Sequence, residues 1–89
     1  MGNMVAPIGA EVHVVVYVNE YGKFVTTHLT PEGALKAKAG YARDEWEALS
    51  ADHPDLPTEP PEDDNEAAEA YFSRRLGEWA DISACKLEA

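Results

Sequence analysis

Residues Glu11 to Val18 read EVHVVVYV, and this run limits what the chain can fold into more than any other feature. Eight residues rich in valine, with neither Gly nor Pro, favour a β-strand, because branched side chains suit a pleated surface. A second strand, Phe24 to Leu29 (FVTTHL), follows after a short gap. Taking Tyr21-Gly22 as a two-residue hairpin loop puts Gly22 where positive φ is needed. That register pairs Val18 with Val25, Val16 with Thr27 and Val14 with Leu29. One face of the hairpin then carries Val12, Val14, Val16, Val18, Val25, Thr27 and Leu29, and reads as the core face. The other carries His13, Val15, Tyr17, Phe24, Thr26 and His28, a mixed set open to solvent or to self-association. His13, Tyr17 and Phe24 are its candidate dimer contacts.

Two helices are expected next. Thr30-Pro31-Glu32 has the marks of a helix start: an N-capping hydroxyl, Pro at the first helical position and an acid in the first turn. Leu35, Ala39, Ala42, Trp46 and Leu49 recur at helical spacing, so the helix should run to about Ser50, before His53-Pro54 stops it. Gly33 and Gly40 either weaken it or let it approach the sheet closely. Pro54 to Asp64 (PDLPTEPPEDD) reads as a stiff, solvated connector. Asp63 and Glu66 are spaced like a capping box and open a second helix, to about Leu76, with Gly77 just past its end. Its buried stripe is Ala68, Phe72 and Leu76, flanked by Tyr71. Trp79 to Leu87 (WADISACKL) reads as a third strand. Trp46 and Trp79 are both expected in the core. The order β-β-α-α-β predicts an α+β two-layer sandwich with helices on one sheet face. At 89 residues the chain fits one domain, residues 11–89, preceded by a flexible tail over residues 1–10.

Charge is distributed unevenly. The chain holds 17 acids and 7 bases, and eleven of the acids fall in the 26 residues from Asp44 to Glu69, which contain no Lys or Arg. Concentrated charge of this kind attracts a basic protein surface and repels nucleic acid. Lys36, Lys38, Arg43, Arg74 and Arg75 flank the stretch but make no nucleic-acid surface beside so many carboxylates. The residues expected to bind a basic partner are Asp44, Glu45, Glu47, Asp55, Glu59, Glu62, Asp63, Asp64, Glu66 and Glu69.

Catalytic and metal motifs are missing. The sequence has no GxSxG, P-loop, GxGxxG, HExxH or CxxC. His13 and His28 share a strand face but need His53 or Cys85 to complete a zinc site. The run Glu62-Asp63-Asp64-Asn65-Glu66 lacks the alternation and central Gly of a calcium loop. Cys85 reads as a small buried hydrophobe on a strand. No enzymatic activity, cofactor or metal is expected. The lone cysteine excludes an internal disulfide and fits a reducing compartment. No apolar run reaches the length of a membrane span, and MGNMVAPIGA lacks the pattern of a secretory signal. Ala at position 6 argues against myristoylation of Gly2. A cytoplasmic protein is expected.

Two blocks together, VVVYVNEYGKFVTTHLTPEGALKAKAGYARDEW and PPEDDNEAAEAYF, resemble parts of small, mostly uncharacterised acidic bacterial and phage-borne proteins. In these a Gly-turn hairpin, a strand ending near His-x-Ser/Thr, a helix closed by Trp, an acidic Pro–Asp connector and a second helix occur in that order. Size and acidity are also similar to those of phage inhibitors of host defence, including anti-CRISPR and anti-restriction proteins. The concentrated acids predict a non-enzymatic binding protein that occupies a basic surface of a protein partner; where that partner is a nucleic-acid machine, the carboxylates stand in for phosphates. The alternative is a self-associating assembly module, a homodimer in which the acids only confer solubility.

Overall fold

A computed structural model of the chain describes residues 10–86. The expected tail over residues 1–10 lies almost wholly outside that range. Six elements form in order: β1 (Glu11–Asn19), β2 (Gly22–His28), α1 (Pro31–Asp44), α2 (Trp46–Asp52), α3 (Asp64–Arg74) and β3 (Trp79–Lys86). The fold is α+β. The strands make one antiparallel sheet in the order β2-β1-β3, so the valine-rich strand is central and paired on both edges.

The hairpin turns two residues earlier in register than expected. Asn19 pairs with Gly22, Val18 with Lys23, Tyr17 with Phe24 and Val16 with Val25, leaving Glu20-Tyr21 as the loop. Asn19 decides this: its Oδ1 accepts the Tyr21 backbone N–H at 2.8 Å, a side-chain turn that starts the reversal early. Neither loop residue needs positive φ, and Gly22 alone takes it, at 141°. A shift of two residues keeps every side chain on its own face.

The helices cover the opposite sheet face from the one expected. His13, Val15 and Tyr17 are buried, whereas Val12, Val14, Val16 and Val18 are only half-buried. Tyr17 is 4% exposed and Val25 is 55% exposed. The Tyr17 ring stacks on Tyr41 of α1 at 4.3 Å between centroids, and Phe72 of α3 meets it edge-on at 6.0 Å. Three aromatic rings bury more apolar area than a row of valines, and they draw the helices to their side. His13 and Tyr17 therefore belong to the interior, while Phe24, 45% exposed, lies at the sheet edge, so the trio does not make one open face.

Thr30 caps α1 as expected, its Oγ1 accepting from the Gly33 N–H at 3.0 Å. Ala34, Ala39 and Ala42 are fully buried, small enough to let α1 lie close to its neighbours. Gly33 sits near His28 and the Thr30 hydroxyl, while a Cβ at Gly40 would meet nothing within 4 Å. Only Gly33 lies at a close approach. The single helix expected from Pro31 to Ser50 is two, broken at Glu45. The buried stripe nonetheless runs across the break: Ala42, Trp46, Leu49 and Tyr71 form one cluster, with Leu56, Ala70 and Phe72 packed on it.

Asp63 caps α3, its Oδ2 accepting from the Glu66 N–H at 2.9 Å. Ala67, Ala68 and Tyr71 are its buried residues, not the Ala68-Phe72-Leu76 stripe. The helix stops at Arg74, and Leu76, 94% exposed, lies in the turn from Arg75 to Glu78 that leads into β3. Gly77 serves that turn, with φ of 88°, and not the helix end. Trp79, expected in the core, is 50% exposed. Cys85 is exposed as well, paired with Val12 on the uncovered face.

Candidate functional site

The acidic segment lies wholly in the helical layer, spanning the end of α1, all of α2, the connector and most of α3. Its carboxylates do not act as a uniform set. Arg43 binds Asp64 at 2.7 Å and donates to the Pro61 and Glu62 carbonyls, so one guanidinium ties α1 to the connector and to α3. Arg74 makes a bidentate pair with Asp55, at 2.7 and 3.2 Å, and its charge holds that carboxyl below the usual range. Arg75 reaches Asp52 at 3.3 Å. The connector is therefore fastened rather than merely solvated, helped by a bond from the Trp46 indole N–H to the Pro57 carbonyl at 3.0 Å.

Asp55 and Asp64, both in the expected binding set, thus serve internal structure. Eight other acids of the segment have no basic partner among the described residues: Asp44, Glu45, Glu47, Glu59, Glu62, Asp63, Glu66 and Glu69. All eight are exposed. Glu66 and Glu69, three residues apart, lie along the outer side of α3, away from Ala67, Ala68 and Tyr71, and Glu62 lies in the connector just before the helix. A cleft of about 140 Å³ lies where this charge reaches the sheet edge. Phe24 and Tyr41 supply aromatic walls there, and Asp44 and Glu45 supply carboxylates at the rim. The combination of flat rings and carboxylates is matched to a guanidinium or ammonium group.

A second polar cluster has no counterpart in the sequence reading. Glu78 accepts bonds from the Tyr17 and Tyr71 hydroxyls on one oxygen, at 2.7 and 2.8 Å, and from Arg75 Nε on the other, at 3.2 Å. Burial pushes the Glu78 carboxyl up, but the two phenols and the guanidinium outweigh it and hold the carboxyl below its ordinary value. Burial and the Glu78 carboxylate together push both phenols above theirs, Tyr71 the further. Tyr17 and Glu78 stand 61 residues apart, and no spacing rule joins them. Both phenol donors and the Arg75 Nε–H are spent on Glu78, which makes it a fastener of β1, α3 and the start of β3. An open cleft of about 300 Å³ adjoins it, between Glu20, Arg75 and Glu78.

His13 and His28 are direct cross-strand partners. His13 Nε2 lies 3.3 Å from Glu11, and His28 Nε2 lies 2.9 Å from the Thr26 hydroxyl. No group of three His, Cys, Asp or Glu residues is placed to hold a metal ion among the described residues. No helix among them is long and apolar enough to cross a membrane.

These features define an α+β protein with an acidic helical layer and a sheet face on which no element among the described residues packs. Compared with known protein families, curated proteins and solved structures, the chain matches none of them.

Proposed function

We propose that the protein is a non-enzymatic binding protein whose acidic helical layer occupies a basic surface of a protein partner. The observation that carries this reading is the division of labour among the acids. Asp52, Asp55 and Asp64 are neutralised by Arg75, Arg74 and Arg43, while eight exposed carboxylates keep their charge on the same layer. The three pairs link the helices and the connector to one another, while the remaining carboxylates face outward on the same layer. Paired arginines fix the scaffold, and the free carboxylates then meet a partner in a set geometry. Complementary charge of this kind raises association rate and selectivity more than raw affinity.

Where the partner handles nucleic acid, the carboxylates take the place of phosphates and keep DNA or RNA from its groove. This is the logic of the phage counter-defence inhibitors whose size and acidity the chain shares. The cleft beside Phe24 and Tyr41 then receives an arginine or lysine side chain between its aromatic walls.

The test compares the protein with its E47Q/E62Q/E66Q/E69Q variant as paired baits in bacterial lysate, followed by mass spectrometry. All four positions are exposed and unpaired, so the variant keeps the fold. The reading expects a basic nucleic-acid-binding protein held by the wild type alone, released by high salt and displaced by added DNA. Equal capture by both baits, or capture indifferent to salt, would overturn it.

A further inference from the structure

The sheet face opposite the helices is apolar, and no described element packs on it. Antiparallel pairing sets its rows: Lys23-Val18-Trp79, then Val25-Val16-Asp81, then Thr27-Val14-Ser83, with Val12 and Cys85 beyond. Four valines of the central strand make its axis, and Val25 and Trp79 stand half-exposed beside them. On a chain of net charge −10 this face carries one base and one acid, Lys23 and Asp81, and is neutral. The acidic segment lies in the helical layer on the other side of the sheet.

We infer that this face binds a second copy of the chain, sheet against sheet, in a dissociable two-fold dimer. Charge placement argues for a copy rather than an unrelated partner. A two-fold axis running along β1, midway between the two sheets, lays β2 of one copy over β3 of the other. Lys23 then stands over the partner copy's Trp79 and within a row of its Asp81, and the reciprocal contact forms at the same time. The ammonium group meets both an indole face and a carboxylate, each on the opposite edge. A two-fold axis across the strands places Lys23 over the far end of β2 and leaves both charges unpaired. Only the first arrangement is self-complementary.

Area sets the strength. Three strands about 4.8 Å apart, about eight residues long at roughly 3.3 Å each, give a face of roughly 400 Å² before side-chain relief is counted. Two copies then remove on the order of 1,000 Å², the lower end of specific interfaces and the range of a dimer in exchange with monomer. The same geometry turns both acidic layers outward, where their repulsion is weakest and where they stay free for a partner. The inference does not depend on what that partner is.

Sedimentation velocity over about a hundredfold range of concentration tests it, with circular dichroism to verify the fold of each variant. The wild type should pass from monomer to dimer as concentration rises. Val16→Lys sets two ammonium groups face to face on the axis and should weaken association by at least about tenfold. Lys23→Glu and Asp81→Lys should each weaken it by several-fold, while the double reversal, which re-forms the ion pair with its signs exchanged but not the ammonium–indole contact, should associate more tightly than either single variant. A chain that stays monomeric throughout would overturn the inference. So would a dimer indifferent to these substitutions. None of them touches the acidic layer, so this outcome and that of the bait comparison are read separately.

Discussion

Tyr17 of the central strand and Tyr71 of α3 donate their hydroxyl protons to the same atom, Oε1 of Glu78, from 2.7 and 2.8 Å. That convergence joins the sheet and the helical layer through a polar contact at a boundary otherwise made of rings and alanines. Removing the acceptor leaves the hydroxyl protons of two buried phenols without an acceptor. Glu78→Ala should therefore cost at least about 2 kcal/mol in urea unfolding at neutral pH, and Glu78→Gln, which keeps one oxygen, about half as much.

The depressed Glu78 carboxyl links this contact to pH. The folded protein keeps it ionised under conditions that protonate an unfolded glutamate, whose ordinary value is about 4.3. Its contribution is thus complete above that value and is lost as pH falls through the lower, folded one. Acid titration of the wild type and Glu78→Gln, followed by circular dichroism, should show their difference in stability shrinking as the pH drops below about 4. A constant difference would show that the charge plays no part.

At alkaline pH the sign is opposite. Tyr17 and Tyr71 are held above the usual phenol range, so their neutral forms stabilise the fold below about pH 10, and this is lost as pH rises further. Phenolate absorbance should therefore rise in two stages. The last tyrosines should ionise only together with unfolding, and Tyr71→Phe should remove one phenol from that late stage.

The two tryptophans should separate cleanly. Trp46 is 2% exposed, in contact with the Leu49 and Tyr71 cluster, and its indole N–H is bonded to Pro57. Trp46→Ala should cost about 3–5 kcal/mol, through cavity formation and an orphaned carbonyl. Trp79→Ala should stay within about 1 kcal/mol in the monomer, as a half-exposed residue. Thermal unfolding at low concentration distinguishes the two.

Gly40 lies inside α1 with open space where its Cβ would be. Gly40→Ala should raise stability by up to about 1 kcal/mol, because alanine loses less backbone freedom on helix formation. A loss of stability in chemical denaturation would mean that the position serves a contact outside the described chain.

Local signals fixed much of this architecture. Thr30-Pro31 starts a helix wherever it is placed, because the cap and the preset φ act within one turn; Asp63 does the same for α3. The alternation of β1 separates its residues into two sets without any tertiary information, and the acidic block is a property of the chain itself. Other features depend on partners distant in sequence. Leu76 fits the helical stripe by spacing, yet the Arg75–Glu78 turn carries it into solvent, because Glu78 must reach Tyr17. Asp55 and Asp64 look like free charge until Arg74 and Arg43 are brought against them.

The amino-acid sequence by itself determined that β1 has two faces, and that one is valine and the other aromatic and mixed. Only the tertiary structure decided which of them is the interior. Both sets are apolar enough to be buried, and alternation carries no information about which side the helices take. The choice fell to Tyr17, whose ring stacks on Tyr41 and whose hydroxyl finds Glu78, a pair of contacts that no valine offers.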